Sequence, residues 1–177
     1  MMTPEFTFSI SVDSVGKQWN DYKLAASADE RAKLAERFEL LSLDKLEGTM
    51  RLRRGRDGET IDMKATIDAD VVQACIVSLA PVPAKVQEDF ELSFRSYPDG
   101  EEPDDHDLEA PEPIENGKID LGEVLAQQLA IALDPFPRAE NAAIPEDYRG
   151  DPNAVDSLPA DEERPNPFAA LEVLKKR

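Results

Sequence analysis

The sequence predicts an α+β fold, an antiparallel β-sheet of about five strands with two to three packing helices and a long acidic loop. Three observations carry that prediction. Runs of alternating apolar and polar residues dominate the chain up to about residue 94. Helical spacing is confined to separate stretches, near 28–40, 120–133 and 166–177. Between the last strand run and the second helical stretch lies a segment too acidic and too rich in proline to build a core.

Taken in order, Phe6, Phe8, Ile10 and Val12 alternate with polar residues and predict a first strand. Ser27-Ala28-Asp29-Glu30 has the capping-box pattern, with Ser27 as N-cap and Glu30 at N3. Leu34, Phe38 and Leu41 follow at helical spacing, so a short amphipathic helix is expected over roughly 28–40. Leu46, Met50 and Leu52 share one parity, and so do Ile61, Met63, Ala65, Ile67 and Val71. These runs predict two strands joined through Arg53-Arg54-Gly55-Arg56-Asp57-Gly58, where Asp57-Gly58 suits a turn that needs positive φ. Cys75, Val77 and Leu79 continue the alternation. Pro81 and Pro83 are expected to interrupt it, because proline cannot donate to a ladder. Val86, Phe90, Leu92 and Phe94 predict another strand.

Asp120 as cap and Glu123 at N3 open the next helix, with Leu121, Val124, Leu125, Leu129 and Ala132 on its apolar face and Gln128 as the one amide there. Pro135 and Pro137 stop it. Asn166-Pro167 starts a last short helix that carries Phe168, Leu171 and Leu174 and ends in cations. We therefore expect one α+β domain over 1–138, with a mobile acidic loop at about 98–117. Residues 139–177 are expected to form a Pro-rich extended tail whose closing helix docks back.

Charge is divided unevenly along the 177 residues, whose formal net charge is −18. Residues 1–86 hold 14 acidic and 12 basic side chains, and 87–177 hold 24 and 8. Asp99 to Glu115 alone contains nine carboxylates and no Lys or Arg. A chain so acidic does not coat nucleic acid by bulk attraction. No run of about 18 apolar residues exists, and the first residues lack the basic-then-apolar pattern of a secretory signal. One cysteine excludes an internal disulfide and a Cys-rich zinc site. These features together predict a cytoplasmic protein with no membrane contact.

The one dense basic patch is Arg51, Arg53, Arg54 and Arg56 at the predicted hairpin tip, with Lys64 on the returning strand. Guanidinium forks pair well with phosphate, and a hairpin tip could reach an RNA groove. The patch has no interleaved aromatics for base stacking, and a charged strand end also keeps a sheet edge soluble. Asp62, Asp68 and Asp70 share one strand parity and could bind Mg²⁺ for phosphodiester chemistry, though alternation alone puts polar residues there. Cys75 sits in an apolar pattern and reads as a buried structural thiol. The only histidine, His106, lies in the acidic loop and is given no role.

Asp134-Pro135-Phe136-Pro137-Arg138 ends a helix rigidly, and Asp134, Phe136 and Arg138 form a corner suited to a partner. The acidic loop, with Glu101, Glu102, Asp104 and Asp105, could mimic a phosphate backbone for a basic protein or serve only as a solubilising linker. There is no phosphate-cradling Gly loop, GxSxG elbow or dinucleotide fingerprint. No catalytic residue, metal, cofactor or small-molecule substrate is therefore expected.

Ile119-Asp120-Leu121-Gly122-Glu123, continued by Gln128-Leu129-Ala130-Ile131-Ala132-Leu133-Asp134-Pro135-Phe136-Pro137, resembles the IDLGE…Q.LALALDP.P signature of the YceD family, the large ribosomal RNA subunit accumulation proteins. Cys75-Ile76-Val77-Ser78-Leu79-Ala80-Pro81-Val82-Pro83 with the strand through Phe94 is similar too, as is Asn166-Pro167-Phe168 with Leu171 and Leu174. Many members carry a C-x-R-C type pair, but here Ile76, Val77 and Ser78 follow Cys75, so no metal or redox role transfers. The resemblance implies a non-catalytic factor supporting 23S ribosomal RNA accumulation and large-subunit assembly. It implies precursor large subunits, 23S rRNA and a basic large-subunit ribosomal protein as candidate partners. Arg51, Arg53, Arg54, Arg56 and Lys64 become the candidate rRNA contacts. Two other readings stay open: a Mg-dependent RNA-processing enzyme using the strand carboxylates, and an acidic protein-binding adaptor.

Overall fold

The computed structural model describes residues 4–97 and 110–143. The chain divides into two units, Met1–Ala142 and Ala143–Arg177, and all elements below belong to the first. In chain order they are β1 (Ser9–Ser11), a 3₁₀ turn (Val12–Ser14), β2 (Asn20–Ala25), α1 (Ala28–Arg37), β3 (Ser42–Arg54), β4 (Ile61–Ala74), β5 (Pro81–Arg95), β6 (Glu112–Pro113), β7 (Lys118–Asp120) and α2 (Leu121–Ala132). The predicted α+β class is correct. One sheet runs β2-β3-β4-β5-β6, antiparallel except for the parallel β5–β6 pair, and β1 pairs β7 separately.

Period-two patterning gives the long strands a dry face and a charged one. Leu46, Met50 and Leu52 of β3 stand beside Ile61, Met63, Ala65, Ile67, Ala69 and Val71 of β4, all buried. Helix α1 begins in the predicted capping box: the Ser27 hydroxyl accepts from Glu30 N–H, and the Glu30 carboxylate accepts from Ser27 N–H at 2.7 Å. The helix contributes buried Leu34 and Ala35 to the dry side.

Helix α2 is capped by Asp120, whose Oδ1 accepts from Gly122 and Glu123 N–H and from Phe8 N–H at 2.8 Å. That one carboxylate therefore starts the helix and also pins the chain before β1. Leu121, Leu125 and Leu129 are fully buried, each contributing roughly 1.5–3 kcal/mol of apolar burial. Arg37 at the end of α1 joins the two helices, donating to Glu123 at 2.8 Å and to Glu5 at 3.0 Å. Much of the signature read from the sequence thus has a packing reason.

Three expectations need correction. Cys75, Val77 and Leu79 do not extend a strand; β4 ends at Ala74 and the chain turns. Leu79 adopts φ +59°, and its N–H donates to Cys75 O at 2.9 Å. Pro81 and Pro83 lie inside β5, opposite Ala74 and Val72. They are tolerated because no described strand pairs with that edge of β5 so near its start, and no ladder bond is lost there. Strand β2 was not predicted, because only Tyr22 and Leu24 mark its inner face.

The predicted acidic loop reached to 117, but Glu112–Pro113 pairs with Phe94–Arg95 and Lys118–Asp120 with Ser9–Ser11. Residues 98–109, which carry Glu101, Glu102, Asp104, Asp105 and His106, lie outside the described residues, and so does the predicted helix near 166–177.

Candidate nucleic-acid interface

The second face of the sheet carries charge in cross-strand rows. Arg53 of β3 stands opposite Asp62 of β4, and the row Asp21–Arg51–Lys64–Glu91 crosses β2 to β5. Thr49 and Thr66 hydrogen-bond side by side at 2.6 Å and floor the middle of the face. Among the described residues no side chain of these rows is buried.

The five predicted basic residues separate into three groups. Arg51 lies 3.6 Å from Asp21, Arg53 lies 3.0 Å from Asp62, and Lys64 pairs with Glu91. These pairs remain accessible, with Arg53 and Asp62 side chains 42% and 36% exposed. Such exposed pairs are worth only about 0–1 kcal/mol, so a ligand can displace them. Arg54 belongs elsewhere. It donates to Val12 O at 2.7 Å and to Val15 O and Gly58 O at 3.2 Å, fastening the 3₁₀ turn to the hairpin. Its parity is that of Leu52, the buried one. Arg56 is exposed and forms no ion pair among the described residues.

The expected lack of aromatics is overturned by Trp19. The Arg53 guanidinium carbon sits 4.5 Å from the centre of its ring, and that of Arg51 sits 5.1 Å away. Trp19 precedes β2, and the pairing of Asn20 with Leu52 puts it beside Arg53. The chain's only tryptophan was a sequence signal, but its neighbours are set by a long-range pairing. Trp19, Arg53, Asp62, Lys64 and Glu112 line a cleft of about 680 Å³. An adjoining trough of about 540 Å³ runs over Arg51, Thr49 and Thr66 and shares Lys64 and Glu91 with it.

Asp62, Asp68 and Asp70 share a strand face as predicted, but each meets its own cation. Asp68 accepts from Lys45 at 2.7 Å, and that bond holds its carboxyl below the usual range. Asp70 faces Lys85 at 3.5 Å. Asp62 and Asp68 are six residues apart on one strand, about 20 Å, too far to share one ion. Among the described residues no group of three His, Cys, Asp or Glu could hold a metal.

At the opposite end of the sheet, Phe136 is 69% exposed. Asp134 accepts its N–H at 2.8 Å rather than pairing with Arg138. The corner is anchored by Ile76 N–H donating to Pro137 O and Gln73 Nε2 donating to Asp134 O, each at 2.9 Å. Exposed Ile76 and Leu79 flank the same turn.

Beneath it Cys75 is fully buried. The Ser78 hydroxyl and the N–H groups of Ala139, Ser78 and Val77 bring its thiol down to about 6. An ultraviolet thiolate titration of the folded protein is expected to have its midpoint near that pH, with Cys75→Ser as blank. The folded value lies below the unfolded one of about 8.5. The stability it contributes is therefore complete above the unfolded value and is lost as pH falls through about 6. A midpoint at or above the unfolded value would remove the thiolate from this account.

Residues 63–175 match the family model described as "Large ribosomal RNA subunit accumulation protein YceD". No curated protein and no solved structure matches the chain. The matched span includes Lys64, Glu91 and the Phe136 corner and begins after Trp19, Arg51 and Arg53. Among the described residues no helix is long and apolar enough to cross a membrane.

Proposed function

The chain belongs to the YceD family, and from that premise we propose that it is a non-catalytic factor in large ribosomal subunit assembly whose charged sheet face contacts 23S ribosomal RNA. The observation that carries this reading is Trp19 within 4.5 and 5.1 Å of two guanidiniums, beside Lys64, on a face that no described element covers. Aromatic and guanidinium planes stack on unpaired RNA bases, and the same guanidiniums reach phosphate. The acidic second half of the chain and the exposed Phe136 corner support a second contact, with a basic large-subunit ribosomal protein.

The test is association with precursor particles, measured by sedimentation and by pull-down with and without nuclease. Arg51→Glu with Arg53→Glu is expected to reduce co-sedimentation at least tenfold, while Phe136→Ala leaves RNA recovery unchanged and weakens protein recovery. Recovery of neither precursor RNA nor ribosomal protein by the unaltered chain would falsify the proposal.

A further inference from the structure

We infer that the Trp19–Arg53 cleft recognises an unpaired guanine base in single-stranded RNA rather than the RNA backbone. This rests on the RNA-contact reading above and narrows it to one ligand chemistry. The first support is charge. The two adjoining clefts are lined by four cations, Lys23, Arg51, Arg53 and Lys64, against the five carboxylates Asp21, Asp62, Asp89, Glu91 and Glu112. That local balance of −1, in a chain of −18, repels a duplex that presents two phosphate rows. Affinity here then rests chiefly on contacts with the base, with phosphate contacts secondary.

The second support is the pairing of donors and acceptors. Guanine offers acceptors at O6 and N7 and donors at N1 and N2 on adjacent edges. Arg53 and Asp62 stand 3.0 Å apart as an exposed pair, so one base can take a hydrogen bond from the guanidinium and give one to the carboxylate. Only guanine offers O6 and N7 together to a guanidinium fork and N1–H and N2–H together to a carboxylate; adenine and uracil each present a single donor beside an acceptor, so neither can satisfy both groups fully. The third support is the ring. Trp19 lines this cleft and carries the Arg53 guanidinium over its ring, so a base bonded edge-on to that guanidinium is held against the same indole. A base inside an A-form helix cannot reach the indole, because its faces are covered by its neighbours.

The experiment uses the full chain and fluorescein-labelled RNA, read by anisotropy at low and moderate salt. A single-stranded uridine oligomer carrying one guanine is compared with its adenine and inosine counterparts and with the duplex form. The guanine strand is expected to bind roughly tenfold or more tightly than the adenine strand and the duplex, with a shallow salt slope. Inosine, which lacks the N2 amine, should fall between. Trp19→Ala should lose about tenfold and Trp19→Phe should keep much of the affinity, with circular dichroism checking that both fold. If RNA binds but duplex equals single strand, adenine equals guanine, or Trp19→Ala changes nothing, this inference falls and the broader RNA contact stands. If no RNA binds in any form, the broader reading falls with it.

Discussion

Leu125→Ala is expected to cost about 3 kcal/mol of folding stability, and adding Gly48→Ala to it is expected to return part of that loss. Leu125 is fully buried at the centre of α2, and its two methyls press on Gly48 of β3. A Cβ at position 48 would fall 2.8 Å from both Cδ atoms, so the helix comes this close only because Gly48 has no side chain. Truncating the leucine opens a cavity, while filling position 48 alone overpacks the contact by about 1–3 kcal/mol. In the double variant the new methyl occupies space that the leucine has left. Thr66 O, at 3.3 Å from the same position, limits the recovery. The double-mutant cycle should therefore show a coupling of about 1 kcal/mol or more, measured by urea denaturation. Costs that simply add would mean that α2 does not seat on the sheet through this pair. The contact bears on function because α2 backs the sheet whose other face carries Trp19 and the arginines.

What the sequence disclosed about this fold was local. The Ser27–Glu30 box, the Asp57-Gly58 turn (Gly58 has φ +81°) and the Asp120 cap each depend on residues a few positions apart. The alternation in β3 and β4 was legible because each strand is long and dry on one side. At Cys75 the same rule misled. A turn whose sulfur accepts from Val77 and Ser78 N–H, and which meets Pro137 O from beyond α2, shows the same apolar spacing as a strand. The basic patch was legible as composition but not as geometry. Trp19 reaches Arg51 and Arg53 only through the register of a short strand with two inner-face apolar residues, a long-range fact that local patterning does not hold. Arg54, by contrast, could have been separated from its neighbours by counting parity from Leu52.

That separation makes the second large effect a crossed one between adjacent residues. Arg54→Ala is expected to lower stability by about 2 kcal/mol while leaving RNA affinity per folded molecule unchanged. Its guanidinium satisfies the carbonyls of Val12, Val15 and Gly58 at once, and its own N–H donates to Gly16 O at 2.7 Å. Val15 is buried, so its freed carbonyl has poor access to water. Arg54→Lys should recover only part of the loss, because an ammonium cannot fork to three acceptors held in these directions. Arg53→Ala should do the reverse. Its partner Asp62 is accessible, so stability should change by no more than about 0.5 kcal/mol, whereas loss of the group over Trp19 should weaken RNA binding severalfold. Denaturation and anisotropy on the same preparations decide the matter. Equal losses of stability from both variants, or equal losses of affinity, would mean that the four arginines act as one undifferentiated patch and that the Trp19 cleft is not the contact.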